Sequence, residues 1–167
     1  MLLGFSFLAA PAPMAPFPVA AAEAELAQLE RQDLTLVNDE RTARRYRAET
    51  RGQAAPLRWN AAAAEVARQH SEQMARAGRL THTGTDGSNV GQRLARAGVA
   101  WTRAGENVAM ASTVEQAEAL MMHEPPFQHN HRGNILDPGF TEVGIGVARA
   151  PNGLVYVTQD FLTPAGH

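Results

Sequence analysis

Phe140-Thr141-Glu142-Val143-Gly144-Ile145-Gly146-Val147-Ala148, then Pro151-Asn152-Gly153, then Leu154-Val155-Tyr156-Val157-Thr158-Gln159-Asp160-Phe161 reads as a β-hairpin. Val143 to Ala148 and Leu154 to Phe161 are β-like, rich in residues that suit a pleated, half-buried surface. Pro151-Asn152-Gly153 between them is a turn signal. Upstream of this hairpin the apolar spacing becomes helical. Leu26, Leu29, Leu36 and Val37 recur with charged residues on the other face, which predicts a helix from about Glu23 to Arg45. Asn60 is a good N-cap for a second helix over Ala61 to Ala77, and Gly78 is its natural stop. The apolar face of that helix carries Ala63, Val66, Ala67, His70 and Met74. Ser88 is placed to cap a short third helix through Ala97. Ser112 and Glu115 form a capping-box pattern for a fourth, which Pro125-Pro126 stops. Arg44 to Ala55, Thr81 to Gly87 and Phe127 to Gly139 read as loops. Helices first and a hairpin last predict an α+β fold with helices packed on an antiparallel sheet.

The 167 residues suit one domain, over 23–167, with a core of its own. A net charge of -2 gives no reason to expect nucleic acid or an anionic membrane as partner. There is no cysteine, which excludes disulfides and thiol catalysis. Residues 1–22 differ in composition. A short apolar run from Met1 to Ala10 precedes Pro11, Pro13, Pro16 and Pro18 and a small-residue stretch over Val19 to Ala22. The run is too short to span a bilayer and resembles a secretory leader, although no Lys or Arg precedes it. Residues 1–22 are therefore expected to stand outside the core, and the chain to be secreted or held at the cell envelope.

Candidate chemistry lies in the polar blocks between apolar segments. His82 sits in a loop between two threonines, where binding groups concentrate. Glu106 lies between Gly105 and Asn107, just before an apolar Val108-Ala109-Met110 that carries it toward the core, where a carboxylate needs a partner. Glu124 falls at a helix end, the unfavourable end of the dipole for an anion. His129 and His131 flank Asn130, but the hairpin-helix frame of a nuclease is absent. His70, on an apolar helix face, reads as a core histidine bonded to a nearby backbone group. The order His123-Glu124-Pro125 lacks the second His of a zinc-protease helix, and no Gly-x-Ser-x-Gly elbow or phosphate-binding glycine loop occurs. Two His and two Glu make a nitrogen-and-oxygen donor set suited to Zn²⁺ and similar ions, though their spacing alone does not bring them together.

Six blocks in order resemble the CAP superfamily, which comprises the cysteine-rich secretory, antigen 5 and pathogenesis-related proteins, and resemble its cysteine-free bacterial branch most. They are Leu36 to Arg41, Pro56 to Asn60 with the Ala67, His70, Met74 spacing, Thr81-His82 with Asp86-Gly87 and Arg93-Leu94, Gly105 to Ala109, His131 to Leu136, and Phe140 to Gly146. The resemblance implies a three-layer α-β-α sandwich around a central, mainly antiparallel sheet. It also implies a cleft in which His82, Glu106, Glu124 and His131 are the metal-capable residues, and a divalent cation, zinc first, as the cofactor. The usual tryptophan and Ser-Pro-Gly before the His-Arg pair are replaced here by Leu120 to His131 with two prolines.

The first functional reading is a secreted binding module with a metal-capable cleft, taking a small-molecule, lipid or protein ligand. The alternative is a metal-dependent hydrolase acting on peptide or cell-wall substrates, with Glu106 or Glu124 as base. In a third, the His and Glu residues only stitch the cleft together. No residue is assigned as catalytic.

Overall fold

The computed structural model describes residues 19–166. The leader predicted over 1–22 lies mostly outside them. The first helix, α1, runs Val19–Thr42. It begins four residues before Glu23 because Ala20 to Ala22 are strong helix formers with nothing to interrupt them. A 3-10 turn at Arg44–Tyr46 follows. Then come β1 (Arg58–Trp59), α2 (Ala61–Ala77), α3 (Val90–Arg96), β2 (Trp101–Ala111), α4 (Val114–Met122), α5 (His131–Leu136), β3 (Glu142–Arg149) and β4 (Val155–Pro164).

The caps explain the boundaries. Asn60 accepts from the Ala63 amide, and Gly78 ends α2 in the left-handed region at φ 63°. Two expected caps are displaced by one residue. Asn89, not Ser88, caps α3 in a full capping box with Gln92. Thr113, not Ser112, caps α4, and Gln116 rather than Glu115 reaches back, to the Ser112 amide at 2.9 Å. Ser88 is instead tied down by Asp86, which accepts its amide at 3.0 Å and its hydroxyl. The loop expected over Phe127 to Gly139 contains α5, a helix of only six residues capped by Asn130.

The sheet has strand order β1-β3-β4-β2. β1 pairs parallel to β3, and the other two pairings are antiparallel. The predicted hairpin is its centre, and Gly153 closes the turn at φ 84°. The long edge strand β2 is, with α5 and the two-residue β1, an element that sequence patterning missed. Gly105 and Glu106 lie within it, not in a turn.

Period-2 alternation gives the sheet two unlike faces. On one face Val143, Ile145, Val147, Val157 and Phe161 form a core with Val37 of α1 and with Ala117 and Met121 of α4. On the other, Gly144 and Gly146 leave room for α2 to lie against the strand. A Cβ on Gly144 would fall 2.2 Å from backbone atoms of Ala63 and Ala64, and one on Gly146 would fall 2.0 Å from the Arg68 nitrogen. The layers are therefore α2 with α3, then the sheet, then α1 with α4, an α-β-α sandwich.

Arg41 ties the second helical layer to the loops. Fully buried, it donates to the carbonyls of Ala55 (2.8 Å), Ile135 (2.7 Å), Asp137 (2.9 Å) and Phe140 (3.1 Å). Burial lowers its pKa to about 10, still far above neutrality, so it stays charged. It fixes the end of α5 and the start of β3 against α1.

Gly146→Ala is expected to cost about 3 kcal/mol or more, because the clash is with helix backbone that cannot rotate away. Gly153→Ala, where the added Cβ meets open space, should cost only the left-handed backbone penalty of about 1 kcal/mol. Chemical denaturation of both variants is the check; equal losses would show that the α2 approach is not the constraint.

Candidate functional site

The site forms where the α2–α3 loop, the middle of β2 and the start of α5 meet. Glu106 points from β2 to the α2 face and is almost fully buried. One carboxylate oxygen meets His82 Nδ1 at 2.8 Å and the other accepts from Arg93 Nη2. Arg93 also donates to the carbonyls of Ser88 (2.9 Å) and His82 (3.2 Å), so one guanidinium holds both Glu106 and the histidine loop. The carboxylate attracts a proton to His82 and raises its pKa.

Glu124 makes a second pair of the same kind. Its Oε1 lies 2.9 Å from His131 Nδ1, and its Oε2 accepts the His131 amide at 2.8 Å. Glu124 follows the end of α4, the wrong pole for an anion, but it sits at the first residue of α5, the right pole of the next helix. The two imidazoles face each other with ring centroids 6.1 Å apart and 35° between planes.

All four predicted residues thus come from separate segments to one region, arranged as two His–Glu pairs. Among the described residues no group of three or more His, Cys, Asp or Glu side chains is placed to hold a metal ion. The reason is local: each carboxylate is spent on its own imidazole. An ionised carboxylate only accepts, so each Nδ1 must carry the proton, and each Nε2 keeps its lone pair when the ring is neutral.

His70 lies behind this site. It is fully buried, bonded through Nε2 to the Thr81 carbonyl at 2.7 Å, with Glu106 3.9 Å away. Burial lowers its pKa, which keeps the ring neutral. It anchors the loop that carries His82, as expected of a core histidine. His70 and Arg93 also line an adjoining cavity of about 430 Å³. His129 lies apart, in a separate cavity of about 490 Å³ beside Arg103 and Phe127.

Three further polar residues have no role assigned from the sequence: Asp160 and Gln159, which no motif singles out, and Asn107, which enters only as the neighbour of Glu106. Asp160, opposite Glu106 in the ladder, is fully buried with neither carboxyl oxygen partnered. Burial, then the Glu106 charge, push its pKa well up, which favours the neutral form. On the other face Asn107 donates to the His131 carbonyl and to Gln159 Oε1, each at 3.0 Å. Gln159 donates in turn to Asp33 (2.8 Å) and Glu118 (2.9 Å). The available signal was a polar run, Thr158-Gln159-Asp160, inside an apolar strand.

The sequence profile of the cysteine-rich secretory protein family, CAP, matches residues 34–161. The chain belongs to this family. Its CAP fold resembles an extracellular protein of Bacillus anthracis containing an SCP domain, at TM-score 0.64 and 26% identity over 91% of this chain. An outer surface protein of Borrelia burgdorferi superposes at TM-score 0.64 and 12% identity, covering 81% of this chain and 95% of that one. A cysteine-rich secretory protein of Staphylococcus aureus superposes at TM-score 0.59 and 17% identity over 83% of this chain. The chain spans 45% of the Bacillus protein and 39% of the Staphylococcus protein. No curated protein sequence matches it. This CAP domain has no cysteine, so burial and the polar ties described above hold its layers together.

The buried acids of the CAP domain carry a stability signature. Burial first raises Asp33 to about 7 and Glu118 to about 8. Both folded-state values lie above the unfolded ones, so the fold binds these protons more tightly. Their stabilising share is full below about pH 4 and is lost as pH rises through 7 to 8. Glu118→Gln should therefore gain thermal stability relative to the parent at pH 8.5 and gain little or lose at pH 5. Melting curves at the two pH values check this; a difference independent of pH would count against the assignment.

Proposed function

We propose that this CAP domain works outside the cytoplasm or at the cell envelope as a binding module, and that its cleft holds a divalent cation between His82 and His131. The observation that carries this is the state of the two rings: each Nδ1 is held by a carboxylate, and each Nε2 is left to ligate. Two imidazoles on one ion, at ~2.1 Å per bond, put their centroids roughly 5–6 Å apart, close to the observed 6.1 Å. Glu106 and Glu124 then act as partners that fix the ring tautomers, and Arg93 balances the Glu106 charge. Zn²⁺ is the ion such a donor set favours. Once bound, it would supply positive charge and open coordination positions to a small-molecule, lipid or protein ligand.

The extracellular setting is supported by the bacterial neighbours described as extracellular and outer surface proteins, and by the short apolar run at the start of the chain. Among the described residues no helix is long and apolar enough to cross a membrane. Binding is favoured over hydrolysis by the carboxylates. Both oxygens of Glu106 and of Glu124 are held by protein donors, which commits these carboxylates to orienting the imidazoles and leaves none of them turned to a water as its first partner.

Calorimetry with Zn²⁺ on the metal-free protein should show binding at neutral pH. His82→Ala and His131→Ala should each weaken it more than tenfold, and Glu106→Gln about 10- to 100-fold. His70→Ala should cost stability more than affinity. Affinity should fall on acidification through the histidine range, because a protonated ring cannot ligate. For His82 the fall should begin at higher pH than for a free imidazole, since Glu106 raises its pKa. Absence of zinc-dependent heat at neutral pH, or equal losses from His70→Ala and His82→Ala, would leave the four residues as a structural stitch.

A further inference from the structure

A chain of side-chain amides runs along the α1 face of the sheet, from the α1–α4 layer to the backbone of the site. It starts at Asp33 on α1 and Glu118 on α4, both almost completely buried. Gln159 Nε2 gives one hydrogen to each, at 2.8 and 2.9 Å. Gln159 Oε1 accepts from Asn107 Nδ2, which also donates to the His131 carbonyl, both at 3.0 Å. Asn134 completes the chain by donating to Asn107 Oδ1 at 2.9 Å.

The direction of every link is forced. A backbone carbonyl only accepts, so Asn107 must turn its Nδ2 to His131. Gln159 must then turn Oε1 to Asn107, and its NH₂ is left for the two acids. The remaining oxygens, Asp33 Oδ1 and Glu118 Oε1, are buried and have no partner. Among the described residues no arginine or histidine pairs with either acid. The charged groups of the surrounding elements that act on them are also acids, Glu115 of α4 on Asp33 and Glu40 of α1 on Glu118, and each pushes the pKa up. Arg41 of α1 spends its guanidinium on four carbonyls. On the sheet, Glu106 and Asp160 alternate with Asn107 and Gln159 and so point to the opposite face. The ring of His131 is engaged by Glu124. One amide NH₂ is therefore the whole local compensation for two acids, enough for one negative charge and not for two.

We propose that Asp33 and Glu118 share one proton, and that the charge of this pair sets the seat of His131 through Gln159 and Asn107. With one proton on the pair, the NH₂ of Gln159 bridges both acids and Asn107 is held on the His131 carbonyl. Loss of that proton leaves two anions against a single amide. They separate or admit water, Gln159 follows, and Asn107 loses its fixed position under His131. Burial is what brings this loss into the neutral-to-alkaline range, since it raises both acids. Gln159 and Asn107 are thus positioning residues for one of the two proposed ligands. The inference rests on the cleft reading only in giving His131 a purpose, and its test needs no metal.

The test is NMR of the metal-free chain from pH 5 to pH 9, following the Gln159 side-chain amide and the His131 carbonyl carbon. Both should move with one common midpoint near or above neutrality. The His131 carbonyl also feels its own ring, so the diagnostic transition is the one it shares with Gln159. Glu118→Gln and Asp33→Asn should each abolish that shared step while the rest of the spectrum stays folded. A Gln159 amide in the parent protein that does not move between pH 5 and pH 9 overturns the proposal without any variant. So does a Gln159 transition that the His131 carbonyl does not follow, or a shared step that survives in Glu118→Gln. Zinc calorimetry can fail in the same samples without touching these outcomes.

Discussion

The close approach of α2 to the centre of the sheet is the constraint on which the rest depends. Gly144 and Gly146 remove the side chains that would hold the helix away, and the helix backbone takes their space. That contact sets the height of α2 and so the place of His70, whose bond to the Thr81 carbonyl anchors the loop bearing His82. A helix one side chain further out would carry that loop off Glu106. The small residues of α2, Ala63, Ala64 and Ala67, are fully or almost fully buried for the same reason.

The sheet itself carries polar groups through a hydrophobic core. Residues 106 and 107 of β2 and 159 and 160 of β4 form two cross-strand polar pairs, one on each face. Such groups are costly unless satisfied. On the α2 face the cost is met by Arg93 and His82 for Glu106, and it is reduced for Asp160 by a raised pKa that favours the uncharged form. On the α1 face amides connect two acids to the backbone of α5. The strands therefore carry one polar cluster on each face, and both clusters reach the region where His82 and His131 meet.

The cysteine-free chain holds its irregular segments by buried charge where other small folds use covalent bridges. Arg41 gathers four carbonyls from the loop before β1, the end of α5 and the approach to β3. Glu30 on α1 receives Arg68 of α2 at 2.7 and 2.8 Å and the Val147 amide at 3.3 Å, which ties both helical layers to the stretch of β3 that the short β1 does not cover. These ties need no oxidising compartment to form.

The hairpin, the body of α2 and its two caps were legible in the sequence, because period-2 and helical spacing, Asn60, Gly78 and the Pro-Asn-Gly turn act locally. The order of six short blocks was enough to point to the family. The length of β2 was not legible: Trp101 to Gly105 is largely polar and small, and its strand state comes from pairing with β4 along the edge. The one-residue shifts at Asn89 and Thr113 were equally hidden, since each cap was decided by which side chain could reach the third amide; the Ser88 hydroxyl is taken by Asp86, and Ser112 is held by its backbone amide instead. His82, Glu106, Glu124 and His131 could be named from sequence as one donor set. Their division into two pairs, the insertion of Arg93, and the buried chain behind His131 depended on distances between segments up to 126 residues apart. Only the packed layers set those distances.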